Sequence, residues 1–246
     1  MDLLLFILVG FFAQIIDGAL GMAYGVSSTT FLLSTGVTPA IASASVHIAE
    51  IFTTFVSGIS HFKFGNVDKS LFKKLVIPGV IGGAVGAYVL TSVPGNKIAP
   101  FVSIYLLVMG IRILYKAYRN SVETKSFDYK KVPFLAFIGG CFNAIGGGGW
   151  GPIVTTTLIS NGHCPRKSIG TVNASEFFVT IAEVIVFLSV LKIQNLEVVL
   201  GLIIGGIIGA PLAAYVCKKI PTKALMAIVG ILIMLLSIRN ILLAVL

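Results

Sequence analysis

The sequence predicts an all-α polytopic membrane protein made of two inverted repeats, each with a broken re-entrant helix hairpin and three transmembrane helices. Three observations lead there. The 246-residue chain is 57% hydrophobic and 11% charged, with a mean hydropathy of +1.02, whereas about a quarter of a soluble domain is charged. The second half repeats the first: Pro165 follows Pro39 by 126 positions, and the same offset joins many other special residues. The first apolar segment of each half is also interrupted by glycines and one polar residue. A discontinuous helix at membrane depth is tolerated only where protein or a wet cavity covers it, and such breaks mark the binding sites of many secondary transporters.

The repeat pairs Asp17 with Asn143, Tyr24 with Trp150, Gly25 with Gly151, and Thr29-Thr30 with Thr155-Thr156. It also pairs His47 with Asn173, Glu50 with Glu176, Gly79 with Gly205, and Gly83 with Gly209. This divides the chain into a first repeat (1–118), a cytoplasmic linker (119–131) and a second repeat (132–246). In order, the first repeat holds apolar segments at 3–34, 39–62, 71–93 and 98–118. The second holds 133–160, 166–191, 196–217 and 222–246. A crossing takes about 20 apolar residues at 1.5 Å each, so six segments fit one crossing apiece. The two at 3–34 and 133–160 are too long for one crossing and too short for two. Asp17-Gly18, Gly21 and Gly25 interrupt the former; Asn143 and Gly146 to Gly149 interrupt the latter.

The basic residues decide how these long segments behave. If each dips in and returns on the same side, 15 of the 18 Lys and Arg residues share one face, and Lys97, Lys192 and Arg239 lie opposite. Cytoplasmic loops carry such an excess. Each repeat then crosses three times, the repeats are inverted, and both termini lie outside the cytoplasm of a plasma-membrane protein. Eight plain crossings in parallel units are the rival topology. The net charge of +9 does not signal nucleic acid, because it lies in short clusters between apolar runs rather than on one face. The bilayer is the expected partner. Cys141, Cys164 and Cys217 are scattered without metal-binding spacing, so neither metal nor cofactor is expected. The N-terminal MDLLLFILVG lacks a basic leader and is expected to be a retained membrane segment. No nucleotide-binding loop or hydrolase motif is present, so no enzyme is expected.

Ionisable residues inside a membrane are costly and are functional candidates by default. Asp17 falls at the first break. His47 and Glu50 share a helix face, and Asn173 and Glu176 repeat them; Glu183, two turns beyond Glu176, is expected near the outer mouth. After each break a helix restarts, at Tyr24-Gly25 and at Trp150-Gly151-Pro152. The free amides and positive dipole of such an end suit an anion, and nearby hydroxyls would donate to its oxygens. The expected substrate-binding set is therefore Gly21, Tyr24, Gly25, Ser28, Thr29, Ser45 and His47 from the first repeat. The second supplies Asn143, Gly147, Gly148, Gly149, Trp150, Gly151, Thr155, Thr171 and Asn173. Asp17, His47, Glu50 and Glu176 are the expected proton carriers. Gly79, Gly82, Gly83, Gly86, Gly201, Gly205, Gly206 and Gly209 have the small-xxx-small spacing of packed helices.

The run GGGGWGPIVTTTLISNGHCPRKSIGTVNASEFF resembles the second-half signature of the sulfite exporter TauE/SafE family. HFKFGNVD, at His61 to Asp68, resembles that family's loop after the second segment, and DGALGMAYGVSSTTFLLSTGVTPAIASASVH is the fainter first-half copy. The resemblance implies a membrane carrier of small sulfur-containing anions such as sulfite or organosulfonates. A proton-linked exporter is expected. A passive anion channel, a structural membrane subunit and an intramembrane enzyme built on His47 and Glu50 are the alternatives.

Overall fold

The computed structural model describes residues 3–20, 22–63, 65–118, 129–161, 163–191, 196–219 and 222–245. These are helical almost throughout, with no strand among the described residues. The helices are α1 (Leu3–Leu20), α2 (Tyr24–Ser34), α3 (Pro39–Lys63), α4 (Lys69–Ser92) and α5 (Gly95–Tyr118). A short 3₁₀ turn (Tyr129–Lys131) precedes α6 (Val132–Gly146); a π-helical turn (Gly151–Thr155) runs into α7 (Thr156–Ser160). α8 (Pro165–Val190), α9 (Leu196–Lys219) and α10 (Thr222–Val245) complete the chain. Most of the linker, 119–128, lies outside the described residues.

Local chemistry sets these boundaries. Pro39 and Pro165 open α3 and α8, where a missing N–H costs nothing. The Asp68 carboxylate caps α4 by accepting from the amides of Ser70 (2.8 Å) and Leu71 (3.0 Å). α4 stops before Pro94, which holds Val93 extended (φ −103°, ψ 132°). α6 ends at Gly147, which takes the left-handed conformation (φ 65°). α2 is preceded by Ala23, a non-glycine residue also held left-handed (φ 97°).

The helices pair so that exchanging the two halves maps the pattern onto itself. α1 packs along α9, and α6, its repeat equivalent, packs along α4. α3 lies against α8, and α5 against α10. Glycines make the closest of these contacts. A Cβ on Gly82 would strike Phe137 O, and one on Gly86 or Gly140 would strike the backbone of Cys141 or Gly79. Across α1–α9, a Cβ on Gly205 would strike Ile7 O, and one on Gly10 would lie 2.5 Å from Leu202 O. The small-residue stripes are thus helix-packing surfaces.

The apolar and polar surfaces are reversed relative to a soluble protein. Ile77, Tyr88, Phe101 and Phe134 are among many large apolar side chains facing outward, while His47, Glu50, Asn143 and Glu183 are buried. Among the described residues, four helices have spans long and apolar enough to cross a membrane: Pro39–Lys63, Lys69–Ser92, Gly95–Tyr118 and Lys167–Val190. Shorter apolar stretches occupy Leu3–Asp17, Leu196–Gly209 and Gly230–Leu242. The chain is a multi-pass membrane protein.

Candidate functional site

Both breaks fall where glycine was expected to put them, between α1 and α2 and between α6 and the π-turn. Each restart is held by the polar residue of its own break. Asp17 Oδ1 accepts from the Tyr24 amide (3.3 Å). Its repeat equivalent Asn143 accepts at Oδ1 from the amides of Gly149 (2.8 Å) and Trp150 (2.9 Å). The helix ends expected to offer bare amides therefore carry intramolecular caps. The reason is geometric: a side chain at the end of one half-helix lies beside the start of the next, where orphan donors need acceptors.

The second break also exposes carbonyls, and hydroxyls from elsewhere satisfy them. Thr29 donates to Gly147 O (2.7 Å), Ser43 to Ala144 O (2.5 Å) and Tyr105 to Gly148 O (3.2 Å). The breaks meet at Gly25 and Gly148. A Cβ on Gly25 would lie 2.6 Å from Gly148 Cα and 2.9 Å from Glu50 Oε1, and one on Gly148 would strike the Gly25 backbone. Only glycine permits that approach.

Between the breaks is a cavity of about 10 Å³, enough for roughly one water molecule. Asp17, Tyr24, Gly25, Glu50, Gly148, Gly149, Gly151 and Glu176 line it, together with Met22, Thr53, Thr54 and Pro152. Three carboxyl groups from both halves thus converge, and no basic side chain lines the cavity. Glu50 Oε2 is buried without a hydrogen-bond partner, as are the hydroxyls of Ser28 and Thr155.

Behind Glu50 lies a fully buried His–Glu pair. His47 Nε2 is 2.8 Å from Glu183 Oε2 and 3.9 Å from Glu50 Oε2. His47 Nδ1 is 2.7 Å from Ser43 O. A carbonyl only accepts, so Nδ1 carries a hydrogen. The Nε2–Glu183 contact then needs one more proton, on the ring or on the carboxyl, and the pair is neutral overall in either form. Asn143 Nδ2 donates to both Glu183 oxygens (3.3 and 3.1 Å). One side chain, Asn143, therefore joins the buried pair to the restart of the second broken helix.

Residues 6–240 match the sequence profile described as sulfite exporter TauE/SafE. The chain belongs to the sulfite exporter TauE/SafE family. It is also similar to the probable membrane transporter protein YtnM of Bacillus subtilis (strain 168), with 44% identity over 97% of this chain and 82% of that protein. No solved structure matches it. As a member of a TauE/SafE transporter family, the chain is a membrane transporter rather than an enzyme.

Several candidate residues lie elsewhere than the cavity of this TauE/SafE protein. Trp150 is buried and anchors the second restart, donating from Nε1 to Val172 O (3.1 Å) and packing against Gly79. Tyr24 lines the cavity, while its hydroxyl reaches Leu202 O on α9 (3.2 Å). Thr171 accepts from the Asp68 amide (2.8 Å) and docks the α3–α4 loop on α8. Asn173, the counterpart of His47, bridges α3 and α8 by accepting from Ser57 (3.2 Å). Ser45 is buried on α3. Gly21 lies outside the described residues. Glu183 is not at a mouth: it is fully buried against His47. Its i+7 relation to Glu176 gives the helix face but not the depth, and only the α6 and α3 partners reveal its role.

The loop around Asp68 forms a separate polar cluster. His163 Nε2 is 3.6 Å from Asp68 Oδ2, the Tyr129 hydroxyl donates to the same oxygen (3.2 Å), and Lys167 donates to Gly65 O (2.8 Å). Partial burial would raise the Asp68 carboxyl, but the Leu71 amide, the Tyr129 hydroxyl, the Ser70 amide and His163 outweigh it and hold the group below its usual value.

Proposed function

We propose that this protein is a proton-coupled secondary transporter, an exporter of sulfite or small organosulfonate anions across the plasma membrane. Its two repeats are inverted, with re-entrant broken hairpins meeting in mid-membrane and both termini outside the cytoplasm. The observation that carries the reading is the cavity between the breaks, walled by Asp17, Glu50 and Glu176 and backed by the His47–Glu183 pair. Family membership supports the substrate class.

Electrostatics then sets the sign of coupling. Two like charges about 6 Å apart at an effective dielectric of about 20 repel by about 3 kcal/mol. An anion therefore enters only when these carboxyls carry protons, and anion and protons bind together. The cavity is too small for sulfite as it stands, so this is a contracted state. Entry requires the Asn143 and Asp17 caps to yield, and the restart amides they hold become the anion's donors. The unpartnered hydroxyls of Ser28 and Thr155 add two more.

The balance of charge decides the direction. If fewer protons than negative charges leave with the anion, net negative charge moves outward. An inside-negative potential then drives export by about 2.3 kcal/mol per charge per 100 mV. The test is sulfite flux into proteoliposomes with Glu50→Gln and Glu176→Gln. The reading expects the pH dependence to flatten in at least one variant; unaltered flux and unaltered pH dependence in both remove the carboxylates from the mechanism.

A further inference from the structure

A second cleft, distinct from the central cavity, lies where the α2–α3 turn meets the start of α5 and the end of α10. It has a volume of about 580 Å³, more than fifty times that of the cavity between the breaks. Ser34, Thr38, Asn96, Ser103, Arg239 and Asn240 are among its polar lining residues, and no acidic side chain lines it. Arg239 is exposed, with one N–H donating to Ser34 O at the end of α2 (2.8 Å). That bond fixes the guanidinium at the rim. A guanidinium has five N–H donors in a planar fork matched to oxyanions, and one bond to a carbonyl does not exhaust it. Next to it, Asn240 Nδ2 is buried and has no hydrogen-bond partner. A buried amide donor left unmade costs about 1–3 kcal/mol, so an acceptor belongs there.

Charge placement points the same way. Lys97, Lys192 and Arg239 are the three basic residues that positive-inside counting sets apart from the other fifteen. Of these, Arg239 lines the cleft and Lys97 follows Asn96 in the first turn of α5. A cation at that membrane face runs against the usual bias, and Arg239 places one in a cleft that also holds an orphan donor.

We propose that this cleft is an oxyanion-binding site, in which Arg239 and Asn240 Nδ2 hold a sulfonate-, sulfate- or phosphate-like group. The occupant is either a free anion from solution or the phosphate of an anionic lipid; the chemistry that recognises them is the same. The proposal does not rest on what the central cavity carries, because it concerns different residues.

The test uses the full chain with its native cysteines replaced and Asn96→Cys as a reporter at the cleft wall. The rate of thiol labelling is measured in nanodiscs of phosphatidylcholine or phosphatidylglycerol, with and without inorganic sulfate. A free-anion site predicts that sulfate slows labelling at least fivefold in phosphatidylcholine, while sodium chloride at equal ionic strength does not. A lipid site predicts that phosphatidylglycerol slows labelling without sulfate. In either case Arg239→Gln and Asn240→Ala each remove the protection, raising the half-protecting sulfate concentration about tenfold or returning the labelling rate in phosphatidylglycerol to its value in phosphatidylcholine. Asn240→Ala keeps the Arg239–Ser34 bond, so it reads the site even if Arg239→Gln unfolds the α2 end. Labelling that ignores both sulfate and phosphatidylglycerol, or protection that survives in folded Asn240→Ala, overturns the proposal.

Discussion

Replacing Asn143 by leucine is the sharpest structural perturbation the site offers. The side chain is nearly isosteric but has no oxygen. It strands the amides of Gly149 and Trp150, whose 2.8 and 2.9 Å bonds to Oδ1 are lost, and withdraws the Nδ2 donor from Glu183. Stranding a buried donor costs about 1–3 kcal/mol, so the two amides alone cost about 2–6 kcal/mol. At about 2–4 °C per kcal/mol for a chain of this size, the apparent Tm in detergent falls by roughly 5–20 °C. Asn143→Asp separates capping from the rest, because it keeps an acceptor for both amides, as Asp17 does for Tyr24. Its loss at acidic pH should be less than half that of the leucine variant. The assay is thermal denaturation followed by tryptophan fluorescence, since Trp150, the only tryptophan, sits at the restart. A leucine variant melting within 2 °C of the parent refutes the capping argument.

Other perturbations follow from the same structure. Ala23→Gly relieves a left-handed alanine (φ 97°) and should raise stability by about 1 kcal/mol, read as a higher melting temperature; a lower one contradicts the conformation. Gly140→Val drives a side chain into the α4 backbone at Gly79 and Gly83 and should abolish the folded monodisperse peak in size-exclusion chromatography, while Gly65→Ala, with nothing within 4 Å of its Cβ, should cost only the strain of its positive φ. Asp68→Ala removes the α4 cap and should cost about 1 kcal/mol. Because the Asp68 carboxyl is held below its usual 3.8 in the folded protein, its contribution is present above that value and lost as pH falls through the lower folded one. The parent should therefore lose stability relative to Asp68→Ala on acidification below about pH 4, and parallel melting curves across that range would contradict it.

Much of the architecture was legible because membranes constrain sequence tightly. Glycine runs inside apolar segments marked both helix interruptions, and the 126-residue offset paired the residues that cap them, Asp17 and Asn143. The small-residue stripes marked packing faces on α4 and α9, and the structure supplies their partners, α6 and α1. What sequence did not reveal was which donors and acceptors are already spent. Thr29 is taken by Gly147, and Thr171 by Asp68; both look as available in the sequence as Thr155, which has no partner. Glu183 escaped for the opposite reason. Periodicity gave its face, but its depth depends on how α8 stands against α3 and α6. Asn173 bonds Ser57 where its counterpart His47 meets Glu183, because equivalent positions share a backbone site without sharing a neighbourhood.

The account turns on protons and anion binding together at the carboxyl-lined cavity. The most direct measurement is internal pH in proteoliposomes during flux of an organosulfonate, whose sulfonate stays ionised and so moves no protons of its own. The account predicts saturable flux with protons moving in the same direction as the anion, the proton movement reduced in Glu50→Gln or in Glu176→Gln. Flux that fails to saturate, or that proceeds with no change in internal pH, would contradict it.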